Sequence, residues 1–308
     1  MNLVALQGAV AQGVLWGIMV LGVYITYRLL NISDLTVDGS FALGGCVCAT
    51  LIINFEMNPV LALVIAALTG MLAGAATGIL HTVFEIPAIL AGILTQISLW
   101  SVNLRVMGGK SNLPLLKTKT LISGVGDKLV ITQAQSAMIV GIIVAILIVW
   151  ALYWFFGTEL GCALRATGNN EFMIRALGVD TNRMKLIALM LANGLVSLSG
   201  ALVCQNQKYA DINMGRGAIV IGLAAIVIGE VLFSKIVNFG LKLASVVVGA
   251  VVYFLIRAIV LDFGLNTNDM NLFTALFVAA ALSIPVFMAK YHAKHDYTET
   301  VEEDEVQC

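Results

Sequence analysis

The sequence is short of charge. Only 11% of its 308 residues are Asp, Glu, Lys or Arg, 60% are hydrophobic, and the mean hydropathy is +0.97. Soluble domains carry about 25% charged residues, so this composition excludes a water-exposed globule and leaves an integral membrane protein. Histidine is nearly missing: of three, His81 alone lies outside the C-terminal tail region. No His-x-x-His, Ser/His/Asp or Cys/His pattern appears, which argues against catalysis by this chain. A Gly-x-x-x-x-Gly-Lys-(Ser/Thr) phosphate loop is lacking too, so nothing predicts that the chain binds ATP itself. The net charge of −1, with no basic patch interleaved with aromatics, argues against a nucleic-acid partner. The start, MNLVALQGAVAQGV, has no basic n-region, and its apolar run is too long for a cleaved signal peptide. It reads as a retained first span. The five cysteines (Cys46, Cys48, Cys162, Cys204, Cys308) lie mostly in or beside apolar runs. Cys46 and Cys48, two apart on a helix, face different ways and make a poor metal pair; buried small hydrophobes are expected, and no metal site.

What the chain has is hydrophobic length. A crossing needs about 20 apolar residues. The first runs from Leu3 to Leu30, followed by a polar break, Asn31 to Ser40, and a short piece, Phe41 to Phe55. Val60 to Val83, bounded by Asn58-Pro59, and Ile86 to Met107 come next, then a long loop from Gly108 to Leu129. Ile131 to Phe156, Leu186 to Gln205, Ala218 to Phe233, Val237 to Leu261 and Leu272 to Lys290 complete the set. The expected fold is all-α: a polytopic transmembrane helical bundle of about 8–9 spans over residues 1–290. Residues 291–308 form an acidic tail expected to be disordered.

Small residues recur inside the spans. Gly70, Gly74 and Gly78 fall four apart on one helix face, the pattern that lets membrane helices approach closely. The aromatics and methionines Trp16, Phe84, Trp100, Met107 and Trp154 suit interface belts or packing. Glu230 is placed to pair with Lys235 or Arg28.

Two polar breaks carry more. Asp34 and Asp38 in ISDLTVDGSFALGG are costly near membrane depth, where broken helices expose backbone groups that can hold a polar solute. Asp34, Asp38, Gly39 and Ser40 are therefore candidates to line a solute path. The alternative is that the aspartates only cap the helix starting near Phe41. A weak echo, Asp211-x-x-x-Gly215 followed by Ala218 to Phe233, suits an inverted repeat of broken helices as well as it suits chance.

The second break, GTELGCALRATGNNEFMIRALGVDTNRMK from Gly157 to Lys185, carries helix punctuation. Asn169 or Asn170 can cap a short helix over Glu171 to Leu177, with Glu171 at the positive end of its dipole. Gly178 ends it, and Asp180 or Thr181 caps the next helix. Met173, Ile174 and Leu177 cluster on one side, and Arg175 reaches off another. One or two turns are marginal alone and need a partner surface.

Arg165, Ala166, Gly168, Asn169, Asn170, Arg175, Ala176, Gly178, Arg183 and Lys185 match a family pattern. The segment resembles the coupling-helix loop of ABC-importer permeases of the branched-chain amino acid and ribose permease superfamily. Ile32 to Gly45 resembles a second motif of that superfamily, and the likeness spans roughly residues 5 to 290. It implies an importer permease working by alternating access without bound cofactors, the ATP being used by a cytoplasmic ATPase subunit. The expected contact residues for that subunit are Arg165, Gly168, Asn169, Asn170, Glu171, Met173, Ile174, Arg175, Ala176 and Gly178. It also implies a second permease copy, and an extracytoplasmic binding protein or lipoprotein delivering solute. The Lys and Arg residues fall nine inside and eight outside, so charge does not orient the chain. The resemblance does: its coupling helix faces the cytoplasm of a plasma-membrane protein, with the N-terminus outside and the C-terminus inside. The compact form, without an extra N-terminal helix, looks most like members associated with aromatic or other hydrophobic amino acids. An ion-coupled secondary transporter is the alternative.

Overall fold

The computed structural model describes residues 3–262 apart from 117 and 235–237, with side chains from residue 5, and four isolated later positions. Apart from those four positions, the expected span from Leu272 to Lys290, the acidic tail, Lys235 and Cys308 lie outside the described residues.

The chain is an all-α bundle. α1 (Leu3–Tyr24) runs into a π-helical turn (Ile25–Leu29), then α2 (Thr36–Asn54), α3 (Pro59–Thr82) and α4 (Ala88–Val106) follow. The loop expected from Gly108 to Leu129 is partly ordered: it holds strand β1 (Asn112–Pro114) and helix α5 (Leu121–Leu129). Thr120 and Ser123 form a capping box on α5, a signal that the search for apolar spans passes over. α6 (Gln133–Phe156) leads to α7 (Glu159–Asn169), α8 (Glu171–Ala176) and α9 (Thr181–Gln207). β2 (Tyr209–Asp211), α10 (Ala218–Leu232) and α11 (Phe239–Asp262) complete the described chain. Seven of these helices are long and apolar enough to cross a membrane, and α10 is a shorter apolar helix. At 15 residues it rises about 22 Å, short of a bilayer core of about 30 Å.

Local chemistry sets the boundaries. Asn58 accepts from the Val60 N–H, with Pro59 preset at the first helical position of α3. Thr132 and Gln135 box the start of α6, and Asp180 accepts from the N–H groups of Asn182 and Arg183 to open α9.

α9 is the central post, packed along α3, α2 and α1. A Cβ on Gly70 would collide with the Asn193 carbonyl and the Ser197 side chain, and one on Gly74 with the Leu189 carbonyl. The glycine face read from the sequence is thus the α3–α9 seam, where lipid supplies no hydrophobic drive and close backbone approach supplies the packing instead. Ser197 donates across that seam to the Ala66 carbonyl at 2.6 Å. Cys46, Cys48 and Cys204 are buried beside it, while Cys162 is exposed. Trp16 and Met107 are core residues, whereas Trp100 and Trp154 are exposed on helix faces and Phe84 is exposed in the turn after α3. At one end of the bundle β1 and β2 pair antiparallel, joining the loop after α4 to the loop after α9. α7 and α8 lie at the other end, α7 against the π-helical turn and α8 against α9 near the end of α3.

Candidate functional site

The first polar break and its weak echo around Asp211–Gly215 come together. The Asp38 carboxylate, in the first turn of α2, accepts from the backbone N–H of Gly217 at 3.0 Å and of Ile219 at 3.1 Å. It therefore caps α10, not α2, because an N-terminus entered through the left-handed Gly217 offers no side-chain cap of its own. α2 itself starts at Thr36 rather than near Phe41, and Asp34 accepts from the Thr36 N–H at 2.9 Å. A Cβ on Gly215 would strike the Asp38 carbonyl, so the echoed segments touch along their backbones.

Beneath this contact lies a buried polar chain. Asn193, midway along α9, donates to Asp34 Oδ2 at 2.7 Å and to the Leu189 carbonyl at 3.0 Å. Ser40 Oγ donates to Asn193 Oδ1 at 2.7 Å. Thr36 and Thr77 share a hydrogen bond of 2.7 Å one step away. Asp34, Ser40 and Asn193 are all buried. Gly39 packs against Leu99 and Gln96 of α4, where Asn103 Oδ1 is buried without a partner among the described residues. Sequence reading found the aspartates and missed Asn193. Its signal was a lone amide within an apolar span, where polar side chains serve as interhelical glue.

The second break folds as two short helices, not one. Thr158 accepts from the Gly161 N–H to start α7, whose Gly161, Leu164 and Thr167 form the buried stripe. Asn170, rather than Asn169, caps α8 by accepting from the Met173 N–H at 3.1 Å. Gly178 follows in the left-handed region at φ 86°, the conformation expected beyond a helix end. Of the apolar group on α8 only Ile174 is buried; Met173 and Leu177 face out, together with Phe172 at 83% exposure. So α8 is anchored through one side chain and presents an apolar outer face. Ala176 is exposed there as well.

Ionic contacts brace this helix. Glu171 receives Arg175 at 2.8 Å and Lys185 at 2.7 Å, and also a hydrogen bond from Thr181. The Lys185 ammonium, bonded to the Glu171 carboxylate, holds its pKa below the usual glutamate value, with Thr181 and Arg175 adding to the effect. A polar recess of about 460 Å³ opens beside it, bordered by His81, Glu85, Asn182 and Lys185. Gly168 turns inward, where a Cβ would strike the Leu29 carbonyl. Arg165 does not join the α8 face; its guanidinium lies 4.4 Å over the Phe239 ring. Arg28 pairs with Glu230 at 2.7 Å nearby, one of the two partners read from sequence. No cluster of metal ligands occurs among the described residues.

The comparisons agree with this architecture. A family model described as branched-chain amino acid transport system / permease component matches residues 5–281. A tyrosine transport system permease protein of Clostridioides difficile (strain R20291) is 38% identical over 286 residues, 92% of this chain and 93% of that one. An uncharacterized protein of Rickettsia prowazekii (strain Madrid E) is 31% identical, over 89% of this chain and 95% of its own. The ribose import permease protein RbsC of Escherichia coli (strain K12) is 28% identical, over 81% of this chain and 74% of its own. No solved structure matches the chain. With its multi-pass bundle and a match over nearly its whole length, the chain belongs to the branched-chain amino acid and ribose permease family and is a membrane permease subunit of an ABC importer.

Proposed function

We propose that this permease imports an amino acid with an aromatic or other hydrophobic side chain across the plasma membrane. A cytoplasmic ATPase that docks on α8 powers the step. The observation that carries the docking reading is the form of α8: six residues, anchored by Ile174, braced to α9 through Glu171 and Lys185, with Phe172, Met173 and Leu177 left exposed. A helix this short holds its shape only against other surfaces, and its outer face has the apolar character of an interface core. The substrate class rests on the similarity to a permease named for tyrosine transport. The chain binds no nucleotide in this reading, and ATP is hydrolysed by the partner. A second copy of the permease completes the path, and an extracytoplasmic binding protein or lipoprotein delivers the solute. The N-terminus lies outside, and the C-terminus in the cytoplasm.

The proposed cycle follows from the contacts. ATP-driven closure of the partner moves α7 and α8. Gly168, packed on Leu29, carries that motion to the Asn31–Leu35 break, and so to Asp34. Asp34 and Ser40 line the solute route through Asn193, while Asp38 and Gly39 hold α10 and α4 against α2.

Co-purification of the tagged, detergent-solubilised chain, followed by mass spectrometry, tests the docking. An identified P-loop ATPase recovered with wild type and lost with Ala176→Glu supports it. Unchanged recovery with a correctly inserted variant sinks it. The buried Asp34 is the observation that favours an ion-coupled transporter instead. Uptake of labelled tyrosine into liposomes under an ion gradient, without ATP or an ATPase, would establish that alternative.

A further inference from the structure

Two recesses apart from the Asp34–Asn193 chain and from the outer face of α8 run into one another. An open apolar groove of about 620 Å³ lies between α6 and α11, lined by Ala145, Ala244 and Val248 and backed by Val14 of α1. A second recess of about 580 Å³ lies where α6 ends and α11 begins, bordered by Thr158, Arg165 and Phe239. Trp150, Tyr153 and Asn238 line both, so the two form one slot, apolar along the helices and polar at its end. Asn238 accepts from the Gly240 N–H at 3.0 Å through its side-chain oxygen, which leaves its amide hydrogens as donors. Arg165 is exposed and stacked on Phe239, and no carboxylate pairs with it among the described residues. Trp150 and Trp154 stand exposed beside it, 68% each.

We infer that this slot binds one anionic phospholipid, with acyl chain along α6 and α11 and phosphate at Arg165. Charge complementarity selects this occupant. Trp and Tyr at the end of a span mark the headgroup level, and Arg165, with which no described carboxylate pairs, sits at that level. An Arg fork matches phosphate oxygens, and the long apolar groove leading away from it offers nothing to a free anion. A protein segment filling the groove would satisfy the apolar walls but would leave the guanidinium unpaired unless it also brought an acid. The contact would fasten the membrane interface to α7, one helix before the segment that faces the partner.

Native mass spectrometry of the full chain in detergent, titrated with equal amounts of phosphatidylglycerol and phosphatidylcholine, tests this. Wild type should retain the anionic lipid about fivefold better, the factor associated with one basic residue at an anionic surface. Arg165→Glu should remove that preference. Ala244→Trp, which fills the groove and leaves Arg165, should lower retention of both lipids. Glycerol 1-phosphate, a headgroup without chains, should not bind. Equal retention of the two lipids by wild type, or an unchanged preference in Arg165→Glu, overturns the inference. So does glycerol phosphate binding as well as lipid, or a cysteine at Val248 cross-linking to residues 272–290 or to a second copy. If Arg165→Glu fails to insert, Arg165→Gln in the same titration decides.

Discussion

Asn31 donates its side-chain amide to the backbone carbonyl of Gly168, 2.9 Å away. Asn31 holds φ 56°, in the left-handed region that Asn tolerates better than most residues, and it opens the break that leads to Asp34. Gly168 lies at the end of α7, against Leu29. The end of α7 and the break that leads to Asp34 are therefore in direct contact.

Gly168→Val tests that contact. The added side chain would strike the Leu29 carbonyl, and overpacking of this kind costs about 1–3 kcal/mol. The expected result is a lower melting temperature together with uncoupled ATPase activity in the assembled importer. Asn31→Ala, which removes only the hydrogen bond, should have the smaller effect on both.

The Asp34–Asn193 pair should be strongly coupled. Both side chains are buried, so truncating either leaves the other unsatisfied at a cost of about 1–3 kcal/mol, more where it is charged. A double-mutant cycle of Asp34→Ala and Asn193→Ala, read by thermal unfolding in detergent, should show the double variant less damaged than the sum of the singles. Additive losses would mean the pair is not a unit.

Two glycine substitutions should move stability in opposite directions. Gly74→Ala drives a methyl group into the Leu189 carbonyl on the α3–α9 seam and should destabilise by about 1–3 kcal/mol. Gly124→Ala, inside α5 with open space where its Cβ would go, should stabilise by about 0.4–1 kcal/mol. Melting temperatures of the two variants check the sign of each.

Acid should loosen α8. The pKa of Glu171 is lowered from 4.5 by Lys185, so its contribution is present above that unfolded value and is lost as pH falls through the lower folded one. Hydrogen-exchange protection over residues 170–180, corrected for the intrinsic rate at each pH, should therefore stay high near neutrality and fall in acid. Lys185→Ala should shift the acid transition to higher pH, since Glu171 then titrates nearer its ordinary value. Protection indifferent to both changes would remove Glu171 as the brace.

Much of the bundle was legible in the sequence because membrane burial writes itself as hydrophobic length. Val60 to Val83 and Ile131 to Phe156 match α3 and α6 to within a few residues, and the Gly70–Gly74–Gly78 face marked a real seam. Asn170, Gly178 and Asp180 set the limits of α8 and α9 through their own side chains and backbone, which is local chemistry and so readable. α7 and α5 were missed because both are short amphipathic helices, without the apolar length that marks a span. What the sequence could not determine was which partners its polar residues would take. Asp38 precedes an apolar run and reads as the cap of its own helix, yet its carboxylate ends on Gly217 and Ile219, 179 and 181 residues further on. Asn193 looks like a stray amide until α2 and α9 bring Asp34 and Ser40 to it, and Arg165 belongs to α8 by motif but to Phe239 by position. Apolar length and helix caps are set by neighbours along the chain, so sequence alone determined them. Hydrogen bonds between distant segments depend on how helices are packed, and only the tertiary structure decided those.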